Sequence, residues 1–536
     1  MERIKNSKTI NLIAIILIIV LGIIITYNLE NYMDVLLWDE ARYLDRGLWL
    51  WHAYPKNSSP LYSVWYKILS LFNDNRVELY YLNFKVLSIT TAVLAYLFLI
   101  VYRTPKSIAF FFASMWLYSA YNLPVWPKVS HFAIILFFIA TIAVNYISSK
   151  VDQLLVFSAA LLLASFARPE LYVAFVLFVI FSIIYIYTYK IKISKGNAYP
   201  ILAFILLFCV IYFLYKTPFT SGDTSRGSFA FVQHFAHNYA IWTKEHFVFW
   251  YEWPEILQKC FPPPYNLKNI ILNTESYFWK HVFFNLSELG KNIVTIFASI
   301  LLPIEFVCSK KIFFITSVLA LVFIIYKSKF NNIKNRFIQH HLLVFFLLIG
   351  IIPVVLSSIY AYPRMHYMVM LFPTSLFIIA MLFDKIELKN DAYFILIIFC
   401  LFAVFAAKSK DFKYFDMFGS NKGRMNQKTI QYLEKKYKND SIKILDVEGG
   451  LSTMMTQNFT SINPNQIFQD SSIHFSDVIS KEQPDIIYVT PILLRLKKIK
   501  SDTVFQKMLL KPENYNYFRQ KTSIFGVYLF EHKATQ

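Results

Sequence analysis

The chain has 536 residues, of which 57% are apolar and 18% aromatic, and its 53 Lys and Arg outnumber 33 Asp and Glu. That composition excludes a soluble globular protein and points to an integral membrane protein with several spans. In a soluble protein such a basic balance would suggest nucleic acid. Here many of the cations sit in short loops between apolar runs, which is a topology signal, and no nucleic-acid partner is expected.

Arg3, Lys5 and Lys8 precede an apolar run over residues 10–27 that resembles a signal sequence without a small-residue cleavage site. This reads as an uncleaved anchor with a cytoplasmic N-terminus, which places the loop 28–78 outside. The loop holds Trp38, Trp49, Trp51 and Trp65, suited to helices lying in the interface. It also holds Trp38-Asp39-Glu40-Ala41-Arg42-Tyr43, two adjacent carboxylates at a membrane surface. A helix beginning at Asp39 would carry Arg42, Tyr43 and Arg46 on the face of Asp39, at i+3, i+4 and i+7. Two readings stand. Either that face works on a substrate, or Asp39 caps the helix, Glu40 favours its positive end and Arg42 pairs with Asp39.

Further spans are expected at 80–102, 107–122, 132–147, 154–166, 171–189 and 201–215. Arg103 with Lys106, then Lys150, then Lys190, Lys192 and Lys195 mark the alternate turns as cytoplasmic. The long loop 216–290 then lies outside, with Phe231-Val232-Gln233-His234-Phe235-Ala236-His237 and the break Pro262-Pro263-Pro264, and suits a lid over a membrane-embedded cleft. His234, His237 and His246 lack a matching carboxylate or cysteine pattern, so interfacial helix residues are favoured over metal ligands. The basic loop Lys327, Lys329, Lys334 and Arg336 belongs in the cytoplasm, so 293–307 is expected to be half-inserted, broken at Pro303, and 312–326 to cross. Spans at 342–359, 367–383 and 393–406 bring the total to about eleven, with the C-terminus outside. The four cysteines imply no disulfide framework.

Residues 1–407 thus form a polytopic α-helical membrane module, and 408–536 a soluble α/β domain. Its helix runs through Thr429, Tyr432, Leu433 and Lys436, and its strand-like runs are 442–447, 486–489 and 525–530, for which parallel pairing is expected.

This topology gathers polar groups at the outside ends of spans: Asp39, Glu40, Arg42, Lys56, Lys128, His131, Arg168-Pro169-Glu170 and Tyr362-Pro363-Arg364-Met365-His366-Tyr367. Such a cleft suits an anionic lipid-linked substrate, whose tail stays in the bilayer while arginines hold its phosphate. Each arginine taken singly would equally suit snorkelling or helix capping.

On these residues the chain resembles the GT-C superfamily of polyprenyl-phosphate-sugar-dependent glycosyltransferases, in the branch of protein O-mannosyltransferases and the bacterial lipid A aminoarabinose transferase. The marks are Asp39-Glu40-Ala41-Arg42-Tyr43 after the first span, Ser59-Pro60-Leu61-Tyr62 with Trp65, Arg168-Pro169-Glu170, and Arg364 before Pro373. The resemblance implies a bacterial inner (plasma) membrane enzyme with Asp39 as catalytic carboxylate, Glu40 beside it and a divalent metal cation close by, Asp39 being the metal's ligand. It implies donor-phosphate contacts from Arg168, Arg364 and, as a displaced substitute, Lys56. Arg42, Tyr43, His131, Glu170, His366 and Tyr367 are the further substrate contacts. Two departures stand out. Relatives often read Lys-Pro-Pro-Leu where this chain has Ser58-Ser59-Pro60-Leu61, and often carry a second aspartate where it has Ser130-His131.

The chemistry expected of this set is inverting transfer of a sugar from a polyprenyl-phosphate donor to a glycan, lipid or protein acceptor. The alternatives are a lipid-linked-glycan flippase or transporter, and an O-antigen ligase or polymerase. Transporters of this size more often show repeated halves and mid-membrane functional residues, and the sequence shows neither.

Overall fold

The computed structural model describes residues 2–50, 59–123, 125–218, 226–246, 248–261, 263, 269–271, 275–301, 330–383, 390–409, 425–438, 440–446, 450–455, 458–462, 473–520 and 527–533. Helix α1 (Glu2–Thr26) is followed by two short helices, α2 (Asp39–Leu48) and α3 (Pro60–Leu69). The bundle continues with α4 (Arg76–Val101), α5 (Lys106–Tyr118), α6 (Val129–Val144), α7 (Lys150–Ser165), α8 (Leu171–Thr188) and α9 (Ala198–Tyr215). Next come α10 (Arg226–Thr243), α11 (Phe249–Cys260), the long α12 (Glu275–Leu301), α13 (Phe330–Gln339) and α14 (His341–Tyr360). A short α15 (Met365–Met368), α16 (Phe372–Phe383) and α17 (Asp391–Ser409) complete the helical part.

Six segments among the described residues are long and apolar enough to cross a membrane: Lys8–Asn31, Arg76–Val101, Leu171–Thr188, Lys195–Tyr215, His341–Tyr360 and Met365–Phe383. Two shorter apolar helices, Val129–Val144 and Asp391–Val404, accompany them. The expected spans at 107–122 and 154–166 fall on helices of 13 and 16 residues. At 1.5 Å per residue these are about 20 and 24 Å long, short of a hydrocarbon core of about 30 Å. The expected span at 312–326 and the break at Pro303 lie outside the described residues. The loop expected over 216–290 is largely helical, since α10, α11 and half of α12 occupy it.

Helix α2 forms from a stripe of buried positions at Glu40, Ala41, Tyr43, Leu44 and Gly47. It crosses α3 closely. A Cβ on Gly47 would meet Ser63 O and the Cβ of Tyr66 at 2.6 Å, so only glycine permits this approach. Pro60 starts α3 in the first-turn position that proline favours, and Leu61 N–H donates to Phe166 O (3.1 Å), tying α3 to the segment just before Arg168.

The tail contains α18 (Met425–Lys436), β1 (Ile442–Asp446), β2 (Phe459–Ile462), α19 (Phe475–Glu482), β3 (Ile486–Val489), α20 (Lys497–Ser501), α21 (Thr503–Leu510), β4 (Tyr517–Arg519) and β5 (Tyr528–His532). Strand order is β2-β1-β3-β5-β4. The expected parallel pairing holds for β2-β1-β3, whereas β5 and β4 add antiparallel, and sequence patterning had not marked β2 or β4 as strands. Alternate residues divide between two cores. Ile444, Ile486, Tyr488 and Leu529 join a cluster that runs on into the helical bundle, while Leu445, Ile487, Val489 and Phe530 pack under Phe475, Phe505 and Met508.

Candidate functional site

Asp39 and Glu40 open α2, with Trp38 in the cap position, so Asp39 is the first helical residue and not its cap. Neighbours on a helix point about 100° apart, and these two carboxylates meet different surroundings. Asp39 is half-buried and takes no hydrogen bond or ion pair among the described residues. Glu40 is fully buried. Its Oε1 accepts from the Tyr62 hydroxyl (2.5 Å), the Tyr66 hydroxyl and Asn83 Nδ2 (2.9 Å), and its Oε2 accepts from the Lys128 backbone N–H (2.7 Å). Burial pushes the Glu40 carboxyl above its ordinary value, and the bonds from Tyr62, Tyr66 and Lys128 pull it back.

Lys128 is fully buried too. Its Nζ donates to Ser88 Oγ (3.0 Å) and Asn122 O, lies 3.4 Å from His131 Nε2, and sits 5.1 Å from the centre of the Phe84 ring. Burial drives this ammonium well below its ordinary range, against the pull of Glu40. A polar chain thus runs from Glu40 through Lys128 to His131, inside an aromatic wall in which Tyr43 meets Tyr62 at 5.3 Å and Tyr62 meets Phe132 at 5.6 Å.

The second group lies where α7 meets α8 and where α14 meets α15. Arg168 is buried, donates through Nε (2.7 Å) and Nη2 to Glu170 Oε1, and covers the Tyr367 ring at 4.4 Å. Arg364 lies 4.5 Å over the Trp250 ring of α11 and has no acid partner among the described residues. Arg168, Arg364, His234 and His131 all lie within electrostatic reach of buried His366, which packs on Tyr367 at 4.2 Å. From α10, His234 is 4% exposed, its Nδ1 has no hydrogen-bond partner among the described residues, and it stacks on Tyr362 at 5.9 Å. Burial and the Arg364 charge hold His234 well below its usual range, and the same causes hold His237 at about 4.

Of the expected site residues, Arg168, Glu170, Arg364, His366, Tyr367 and His131 are therefore gathered, and Glu40 is bonded into the frame beside them. Tyr43 belongs to the aromatic core. Helix α2 begins at Asp39 as expected, so Arg42, Tyr43 and Arg46 recur on its face, but Arg42 is exposed, lies 5.4 Å over the Trp38 ring and makes no ion pair with Asp39. Lys56 lies outside the described residues. Sequence patterning missed Tyr66, Asn83, Ser88 and Trp250; the spacing of Tyr62 and Tyr66, four apart on α3, was the available signal for the first.

Both Glu40 oxygens accept hydrogen bonds, from four donors in all, whereas the Asp39 carboxylate has no partner among the described residues. No group of three or more His, Cys, Asp or Glu gathers as a metal site among the described residues. No protein-family model, curated protein or solved structure matches this chain.

Proposed function

We propose that the protein is a membrane glycosyltransferase of GT-C-like architecture, moving a sugar from a polyprenyl-phosphate donor to an acceptor on the outer face of a bacterial inner membrane. In this reading about eleven segments cross the bilayer, the N-terminus is cytoplasmic and the tail domain is outside. The observation that carries it is the contrast between neighbours: Glu40 is locked by four donors, while Asp39, at the head of a helix built on that lock, has no hydrogen-bond or ion-pair partner among the described residues.

Asp39 then acts as general base, taking the proton of the acceptor hydroxyl as its oxygen attacks the anomeric carbon and the polyprenyl phosphate leaves with the bonding pair. The leaving phosphate gathers charge, which fixed cations stabilise. Arg364, stacked on Trp250 and without an acid partner among the described residues, suits that role, and Arg168 shares with it the surroundings of His366. A base without a partner among the described residues, together with Arg364, which has no acid partner among them, favours group transfer over a flippase, which has no proton to remove. Purified protein given a panel of polyprenyl-phosphate sugars should release polyprenyl phosphate in the presence of acceptor extracts. Release from none of them, by protein that melts cooperatively, would contradict the reading.

A further inference from the structure

The six residues before Asp39 are held from two sides. From the membrane module, the Tyr81 hydroxyl donates to Met33 O (2.7 Å) and Leu36 N–H donates to the Tyr80 hydroxyl (3.3 Å). From the tail come more bonds. Asp34 is 4% exposed; its Oδ2 accepts from Asn426 N–H (2.9 Å) and its Oδ1 from Gln427 N–H (2.9 Å) and Val35 N–H (2.8 Å). Asn426 Nδ2 donates to Val35 O (2.8 Å), and Asn426 Oδ1 accepts from the Tyr488 hydroxyl on β3 (2.9 Å). Gly450 lies so close that a Cβ there would fall 1.9 Å from Leu37 O. Arg76 closes the ring, joining Asp45 of α2 (3.1 Å) to Thr453 O of the tail (2.5 Å).

We propose that the tail domain is a clamp that sets the position of Asp39, with Asp34 as the positioning residue through which it acts. The inference rests on the reading of Asp39 as general base. The physical reason is the geometry of the contact. The carboxylate of Asp34 satisfies two first-turn N–H groups at the positive end of α18, a charge-assisted contact inside a buried seam. Its backbone leads within five residues to Asp39, so the register of α18 against residues 34–37 fixes where α2 begins. A base displaced by about 1 Å loses on the order of a hundredfold in rate, so a loosened clamp lowers turnover without touching a reacting atom. The donor-phosphate residues Arg168 and Arg364 are not part of the seam, so donor binding is left intact.

The test uses the full-length protein in nanodiscs and two variants from opposite sides of the seam, Asp34→Ala and Gly450→Ala. Hydrogen exchange should rise in both 33–38 and 425–436 for each variant, and turnover should fall about ten- to a hundredfold with the donor KM unchanged. Asp34→Asn, which keeps one acceptor oxygen, should recover part of the loss. Unchanged exchange in both segments would overturn the clamp, as would loosened exchange with full turnover, or a loss carried by KM alone. If one variant fails to fold, the other decides. If the wild-type protein transfers no sugar, the proposed function fails while the exchange data still judge the clamp.

Discussion

Replacing Glu40 by alanine should unfold the protein far more readily than replacing its neighbour Asp39 by asparagine. Removing the Glu40 side chain strands the Tyr62 and Tyr66 hydroxyl protons and the Lys128 N–H in a site with no exposure. Asn83 is spared, because its Nδ2 already lies 2.7 and 2.9 Å from the two tyrosine oxygens. Each stranded buried donor costs about 1–3 kcal/mol, and breaking a buried charged cluster costs about 3–5 kcal/mol in total. A loss of about 3–5 kcal/mol is therefore expected. Asp39→Asn touches a half-buried group without partners among the described residues and should stay within about 0.5 kcal/mol. Thermal unfolding of the solubilised protein, followed by tryptophan fluorescence at one fixed scan rate, compares the variants on equal terms. Glu40→Ala melting with the wild type would refute the reasoning, and so would Asp39→Asn falling as far.

Other expectations follow from the second group and from the loops. Arg364→Ala should raise the donor KM and be partly rescued at high donor concentration, while Arg168→Ala should also destabilise, since it leaves Glu170 unpaired; steady-state kinetics with melting curves separate the two. His237 is held at about 4 against an ordinary 6.5 by burial and Arg364, with Glu288 opposing, so the folded state keeps it neutral. Its contribution to stability is complete above pH 6.5 and is lost as pH falls towards 4, so melting should come earlier at about pH 5 than at neutrality, and His237→Gln should narrow that difference. A reporter fused after Asp34, Gly222 or Gln536 should read outside, and one after Lys195 or Lys334 cytoplasmic; a cytoplasmic reading at Gln536 would break the eleven-span arrangement.

The apolar runs and three of the tail's strands, β1, β3 and β5, were legible because burial imposes a period, whereas the short β2 and β4 were not. Ile444 and Leu445 face opposite cores, as do Ile486 and Ile487, and that alternation can be read directly from β-branched residues in sequence. Helix length was less legible, since α5 and α7 are apolar along the expected spans but end after 13 and 16 residues at the turns at Ser119 and Phe166. The Asp39-Glu40 pair drew attention as two adjacent acids, but nothing local distinguishes them. Their division of labour is set by Asn83 and Lys128, 43 and 88 residues away along the chain. Trp250 under Arg364 was invisible for the same reason. The tail read as independent in sequence, and its seam with residues 34–37 depends on an aspartate and a glycine that carry no pattern of their own.

The central claim is that Asp39 is the base that removes the acceptor's proton. Asparagine keeps its size and much of its hydrogen bonding but cannot take a proton. Turnover of polyprenyl-phosphate sugar by purified Asp39→Asn protein should therefore fall by at least about a hundredfold, with melting unchanged. Full transfer by that variant would contradict the account.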